Sequence, residues 1–150
     1  FYELPGVGIT GIKSYHDDRG GALRGENIIY KFGMDGLEIC HLGDLGEECS
    51  SELLEMILPV NILLIPVGGT YTINAEQAKE YVDRIMPEIV IPMHYKTRSL
   101  TLDIDKADGF LNLFEDEETE FSEKDTLEFS RDDLTEEKTK IILMERMKIK

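Results

Sequence analysis

Two short, unbroken apolar runs most constrain the fold of this 150-residue chain. Residues 62–65 and 89–91 contain only leucine and β-branched residues. Continuous apolar runs of this length are typical of strands that are buried on both faces of a sheet. Stretches with helical signals lie between and after these runs, so the pattern in the second half of the chain predicts strands that alternate with helices.

The first third of the chain carries the alternating pattern of a β-meander. Residues 8–15 and 26–34 fit strands, and Asp35-Gly36 is a hairpin signal that leads into residues 37–41. Asp and Gly tolerate the positive φ that such turns require, so we expect the second and third strands to be antiparallel neighbours. The segment 17–25 is rich in glycine and charge and predicts a loop.

Capping residues mark three helices in the remainder. Ser50 or Ser51 can cap a helix that runs to residue 58, and Asn74 can cap a second helix with Gln77 reaching back. Asp103 is expected to cap a third helix. With a last strand at residues 139–147, the pattern predicts one mixed α/β domain over residues 1–150 whose polar residues cluster at strand ends.

The charge of the chain argues against nucleic acid as a partner. Sixteen basic and 31 acidic residues give a net charge of −15, whereas a nucleic-acid-binding protein needs a cationic face. Residues 115–120 and 131–137 are dense acidic runs, and we interpret both as solvated loops.

Apolar runs and cysteines favour a cytoplasmic protein. The longest apolar run, residues 57–67, is broken by two prolines and an asparagine and is too short to cross a bilayer of about 30 Å. We therefore expect no membrane partner. Two cysteines in a domain of this size suggest reduced thiols more than a disulfide.

Histidine and aspartate at strand ends point to a metal centre. His16 and His94 each follow a strand-like run, and Asp44 follows another and lies between Gly43 and Gly46. Residues at the ends of adjacent strands can converge on one rim of a sheet even when they are distant in sequence. Two imidazoles and a carboxylate in one cleft would be the geometry of a hydrolytic metal site.

Each of these residues also has a structural interpretation. His16 alone would more often be an exposed loop histidine, and Asp44 on spacing alone is more often a turn aspartate that caps local N–H groups. His94 could equally be a buried histidine whose hydrogen bonds are satisfied within the core. His41 shares strand parity with the inward side chains, which favours a structural role or a hydrogen bond beneath Asp44.

Five further residues are candidates for support or substrate binding. Asp17 follows His16 and can fix its tautomer as a hydrogen-bond acceptor. Gly68 and Gly69 resemble an anion-binding loop before a helix, although the lysine and spacing of a P-loop are missing. Lys96, like Arg98 beyond it, can meet an anionic substrate group, while a surface role is more common for both.

Taken together, these motifs resemble the later motifs of the metallo-β-lactamase superfamily. They comprise residues 15–17, 41–46, 64–69 and 91–95, in the family's order. Within the superfamily they most resemble the Zn-dependent hydrolase-like proteins related to the ascorbate-phosphate lactonases. The similarity runs from about residue 7 to residue 96 and is only general downstream.

The resemblance implies a four-layer αβ/βα sandwich with a dinuclear site, usually zinc, at one edge of the two sheets. Position by position, His16 would complete the ligands of the first ion, Asp44 would bridge the two ions and His94 would bind the second. His41 would support the site from behind. A metal-bound hydroxide would attack a small, possibly anionic, substrate.

One departure from the family shapes our expectation for this chain. The family's His-x-His-x-Asp-His signature has no counterpart in the sequence, and a first-row metal takes about four ligands. We therefore expect the sandwich to be present only in its C-terminal part, from a longer hydrolase, with weak zinc binding and little activity in this piece alone. The alternative is a non-catalytic scaffold or oligomerising module. In either case we expect an uncovered sheet surface and a homo-oligomer.

Overall fold

A single mixed sheet organises the chain, as a computed structural model describes it for residues 1–97, 104–134 and 138–144. The eight strands follow the order β1-β2-β3-β4-β5-β6-β8-β7. Their bounds are Tyr2–Leu4 (β1), Val7–Tyr15 (β2), Glu26–Met34 (β3), Leu37–His41 (β4), Ile62–Pro66 (β5), Ile89–Met93 (β6), Thr119–Ser122 (β7) and Lys140–Met144 (β8).

The sheet changes from antiparallel to parallel at β4. Strands β1 to β4 form the predicted meander, and the turn between β3 and β4 has φ of +52° at Asp35 and +75° at Gly36. From β4 onward the pairs β4–β5, β5–β6, β6–β8 and β7–β8 are parallel. Parallel neighbours need crossover connections, and these carry the helices.

Three helices cover one face of the sheet. The first, α1 (Ser51–Ile57), is capped by Ser50, and α2 (Ala75–Ile85) begins with the predicted capping box of Asn74 and Gln77. The third, α3 (Asp108–Leu111), has no side-chain cap, and the expected cap Asp103 lies outside the described residues. All three helices pack their apolar faces against the inner side chains of β2 to β6 and β8 in the main core.

A second apolar cluster lies on the opposite face of the sheet. It consists of alternate side chains of β4, β5, β6 and β8, packed against Leu127, Phe129 and Leu134 from the segment that precedes β8. The two central strands, β5 and β6, are therefore buried on both faces, as their apolar runs predicted. This arrangement agrees with an αβ sandwich architecture.

The edge strands are where the structure differs from expectation. The sequence pattern did not predict β1, and all three of its residues are exposed. The supposed acidic loop at residues 115–120 is a 3-10 turn followed by β7, and residues 131–133 form another 3-10 turn, while residues 135–137 are outside the description. An edge strand needs little apolar periodicity. The acidic residues around β7 therefore gave a loop-like pattern, although the segment forms a strand.

None of the described helices is both long enough and apolar enough to pass through a bilayer.

The loop of residues 17–25, which we call the Asp17 loop, is built around a buried carboxylate. Asp17 is 2% exposed, and its two oxygens accept four backbone N–H groups at 2.7–2.8 Å, from Arg19, Gly21, Leu23 and Arg24. A backbone bond from His16 N–H to the carbonyl of Gly25 closes the loop at 3.0 Å. Although burial works in the opposite direction, these hydrogen bonds hold the pKa of Asp17 well below its ordinary value.

We predict that Asp17→Asn lowers the melting temperature and flattens its acid dependence. The folded-state pKa lies below the unfolded value of about 3.9, so the carboxylate stabilises the fold above that pH, and this stability is lost as the pH falls below it. Circular dichroism melts between about pH 3 and 7 measure the effect. The neighbouring exposed residue supplies the control, Asp18→Asn, which should melt like the wild type; equal melts for both variants would contradict the role of Asp17.

Candidate metal centre

Strand direction brings three candidate ligands to one rim of the sheet. His16 follows β2, Asp44 lies in the turn after β4, and His94 follows β6. Because β2 and β4 are both antiparallel to β3, and β4, β5 and β6 are parallel, the carboxyl ends of these strands share one edge. Residues distant in sequence therefore meet there.

The carboxylate of Asp44 lies between the two imidazoles. Its Oδ2 is 3.5 Å from His16 Nε2, and its Oδ1 is 3.2 Å from His94 Nδ1. The side chain of Asp44 is 53% exposed, against 23% for His16 and 41% for His94. The predicted convergence in one cleft is thus present, and the cleft is open to solvent.

Glycines allow the three segments to approach one another. A Cβ on Gly46 would lie 2.5 Å from the backbone of His16, and one on Gly68 would collide with the carbonyl oxygen of His94. His94 itself has φ of +53°, a left-handed conformation that is uncommon for a residue with a side chain. Such conformations persist where the surroundings over-determine them, typically at functional sites.

Asn27 positions Asp44 and was missed at the sequence level. Its Oδ1 accepts the backbone N–H of Asp44 at 3.0 Å, and its Nδ2 donates to the carbonyl of Leu42 and to Ser14 Oγ, both at 2.9 Å. The signal was available, since Ser14 and Asn27 are paired across β2 and β3 and share parity with the buried Ile12 and Ile29. Two polar residues in inward positions have to hydrogen bond to something.

His41 supports the same turn from the opposite face of the sheet. Its Nδ1 accepts the backbone N–H of Gly43 at 3.1 Å. Burial lowers the pKa of His41, and nearby His94 lowers it further, while Asp44 opposes both effects. A neutral imidazole is the form that this acceptor contact requires. The supporting role that we expected for His41 stays a prediction, now with a contact that would carry it.

Asp17 makes different contacts from those we expected. Both of its oxygens accept from the loop backbone, whereas His16 Nδ1 is buried and has no hydrogen-bond partner among the residues that the structure describes. The expectation that Asp17 fixes the His16 tautomer is therefore wrong. A carboxylate saturated by four N–H donors organises its own loop and has no oxygen directed at the ring.

The cleft opens into a cavity of about 460 Å³. Its wall combines the three candidate ligands with apolar and hydroxyl-bearing side chains, and it is lined by His16, Asp44, Gly69, Tyr71, Thr72, His94 and Ile104. The cavity thus combines apolar side chains with a few polar groups, as is typical of small-molecule sites.

The proposed substrate-binding residues fall in different places. Gly69 lines the cavity, whereas Gly68 is required by its packing on the backbone of His94. Lys96 is exposed, is absent from the cavity wall, and donates its backbone N–H to Asp105. Arg98 lies outside the described residues. Binding of an anion by Lys96 stays a prediction.

The donor set suits zinc in chemistry but is incomplete. Imidazole nitrogen and carboxylate oxygen are ligands that zinc prefers, with bonds of about 2.0–2.2 Å. Tetrahedral bonds of this length place neighbouring donor atoms about 3.3–3.5 Å apart, close to the two separations at Asp44. Each imidazole faces a different oxygen, however, and the described residues contain no group of three or more such side chains arranged around one ion.

Comparisons with known proteins find relatives that are named metal-dependent hydrolases. A curated relative from Thermococcus onnurineus, named UPF0173 metal-dependent hydrolase, is 34% identical over 97 residues, which is 63% of this chain and 43% of the relative. A relative of the same name from Methanocaldococcus jannaschii is 34% identical over 95 residues, with the same coverage of each chain. The chain thus spans less than half of the length of these relatives.

A solved structure and a family model extend the likeness. The structure, from Thermotoga maritima, is named a candidate Zn-dependent hydrolase of the metallo-β-lactamase superfamily. It is 36% identical with a TM-score of 0.81, over 95% of this chain and 67% of that one. The sequence model of the β-lactamase superfamily domain matches residues 1–94, which include all three candidate ligands. By its sequence and its fold, the chain belongs to the metallo-β-lactamase superfamily.

Proposed function

We propose that this chain is part of a metal-dependent hydrolase in which His16, Asp44 and His94 bind zinc. The observation that carries the proposal is the Asp44 carboxylate, held at 3.5 Å and 3.2 Å between two imidazoles on one rim of the sheet. The relatives are named metal-dependent hydrolases, which supports the same reaction class. We propose a small-molecule substrate, since the cavity of about 460 Å³ has the size of such a site.

Each residue would have a distinct task in this site. When bound, zinc supplies a Lewis acid and lowers the pKa of a water molecule toward neutrality. His16 would hold one ion and His94 a second, and Asp44 would bridge them, because its two oxygens face different histidines. Asn27 and His41 would keep the Asp44 turn in place through their hydrogen bonds. The cavity wall would orient the substrate.

We predict weak zinc binding by this chain that depends on Asp44. Three donors shared between two ions leave each ion short of the usual four ligands, and Asp44→Asn should weaken zinc binding further, by about tenfold or more. Calorimetric titration of the chelator-treated protein measures the affinity. An exposed carboxylate on α1 supplies the control, Glu55→Gln, which should bind like the wild type. Equal affinities for the two variants would exclude Asp44 as a ligand.

We predict that Asn27→Ala weakens zinc binding although Asn27 touches no ion. The substitution leaves the N–H of Asp44 and the carbonyl of Leu42 without their partner, which should reduce stability by about 1–3 kcal/mol. Loss of a positioning contact typically reduces metal affinity by about 10–100-fold. Zinc titration and denaturant unfolding test both effects, with the exposed Asn112→Ala as control. Unchanged zinc affinity in a folded Asn27→Ala protein would refute the positioning role.

The alternative function is a scaffold or oligomerising module, and one observation favours self-association. Strand β1 is a wholly exposed edge, and large apolar side chains on β1 and β3 are 42–62% exposed: Tyr2, Leu4, Ile28 and Tyr30. Exposed edges and apolar patches promote pairing. A homo-oligomer is compatible with hydrolase and scaffold alike, whereas absence of any zinc binding would favour the scaffold.

We predict that Ile28→Thr shifts an oligomer of this chain toward the monomer. The substitution removes an apolar side chain from the exposed face of β3 while it keeps a β-branched residue in the strand. Light scattering coupled to size exclusion at micromolar concentration gives the mass. Leu23→Thr, which changes an apolar side chain of the Asp17 loop that is 62% exposed against 48% for Ile28, is the control. A monomeric wild type would contradict self-association.

The cysteines support the cytoplasmic location that we propose. Both are free in the described structure, and Cys40 is buried. Burial raises the pKa of the Cys40 thiol to about 12, so it behaves as an unreactive apolar side chain. Reduced thiols of this kind are typical of cytosolic proteins.

A further inference from the structure

The Asp17 loop combines an ordered backbone with exposed side chains. Four backbone N–H groups bind the Asp17 carboxylate, yet Leu23 near the end of the loop is 62% exposed and Arg24 is exposed as well. The donors include the N–H groups of these two residues. Their backbone is therefore fixed while their side chains face outward, as is typical of loops that bind ligands.

Arg24 extends from this loop to the wall of the metal-site cavity. Its guanidinium carbon lies 5.5 Å from the centre of the Tyr71 ring, and Tyr71 lines the cavity beside His16, Asp44 and His94. A cation–π contact of this length attracts the guanidinium to the ring. The N–H groups of the guanidinium lie in its own plane, and the contact with the ring does not use them. They therefore stay available for hydrogen bonds to a ligand.

The partner ring is also held in place. Thr70 has φ of +61°, and the backbone of residues 69–73 is tied by bonds from Tyr71 N–H to the carbonyl of Gly69 and from Ile73 N–H to that of Leu45. A left-handed threonine next to an aromatic cavity residue marks a constrained loop. Two fixed loops thus meet at the mouth of the cavity.

The charge of this mouth distinguishes Arg24 from other surface arginines. The chain carries a net charge of −15, and among the described residues Arg24 has no carboxylate partner while the cavity wall contains no lysine or arginine. An unpaired guanidinium with an ordered backbone can bind an oxyanion through two parallel hydrogen bonds. Its field would counter the repulsion that an anion meets near Asp44.

We propose that Arg24 and Tyr71 form the specificity-determining rim of this site, which selects a substrate that carries an oxyanion group beside an apolar or aromatic portion. The proposal rests on the function proposed above. Arg24 binds the oxyanion, whether carboxylate or phosphate, and the apolar portion packs on Tyr71 and Ile104. Both residues bind and orient the substrate and take no part in bond cleavage.

Titration with phenylphosphonate tests the rim independently of the metal. The probe is added to chelator-treated protein and its binding is followed by calorimetry, so no zinc ion competes for the phosphonate. Arg24→Gln should weaken binding by about tenfold, the value of one charge-assisted hydrogen bond, and Tyr71→Leu should weaken it as well. Arg19→Gln makes the same charge change in the same loop without a contact to Tyr71, and it should stay within about twofold of the wild type.

The outcomes separate this proposal from the proposed function. Equal loss in Arg24→Gln and Arg19→Gln, no loss in either, or no binding by the wild type below about 10 mM would overturn the rim. Zinc titration of the same proteins tests the metal site, and Arg24→Gln should leave zinc affinity unchanged because Arg24 contacts no candidate ligand. Circular dichroism melts of each variant show that it is folded.

Discussion

The parallel pairing of β4, β5 and β6 is the constraint on which the rest of the site depends. Register places His41 beside Leu64 and Leu64 beside Ile91, so the strands end within a few residues of one another. His16 and His94 directly follow β2 and β6 at this rim, and Asp44 lies three residues beyond the end of β4. The antiparallel β2–β3–β4 meander adds His16 to the same edge, because two reversals of direction restore the original one.

Local backbone chemistry converts this proximity into contact. Gly46 and Gly68 lie where any side chain would strike the backbone of His16 or His94, so the ligand-bearing segments approach more closely than ordinary residues allow. Asn27 then holds the Asp44 turn through three hydrogen bonds that reach across β2, β3 and β4. A site is precise when its supporting residues are themselves fixed, and here the support comes from the sheet.

Two carboxylates in the first third of the chain, Asp17 and Asp44, have different tasks because their surroundings differ. Asp17 is buried and saturated by backbone donors, so it holds a loop. Asp44 is half exposed, and its two oxygens face the imidazoles of His16 and His94. The difference in surroundings explains why Asp17 does not hydrogen bond to His16, whereas Asp44 lies between His16 and His94.

Local sequence patterns sufficed for the central strands, the hairpin at Asp35-Gly36 and the capping box of α2, because burial on both faces, positive φ and cap hydrogen bonds leave signals within a few residues. The same patterns, with the family resemblance, selected His16, Asp44 and His94 as candidate ligands, and the structure brings these three residues together. Edge strands β1 and β7 were missed, since an exposed edge has no apolar period. Asp17 binds four donors that lie only two to seven residues away, within its own loop. The partners of Asn27 and Arg24, by contrast, were decided by tertiary packing, because both residues contact segments whose position follows only from the assembled sheet. Contacts between residues that are distant in sequence leave no local pattern.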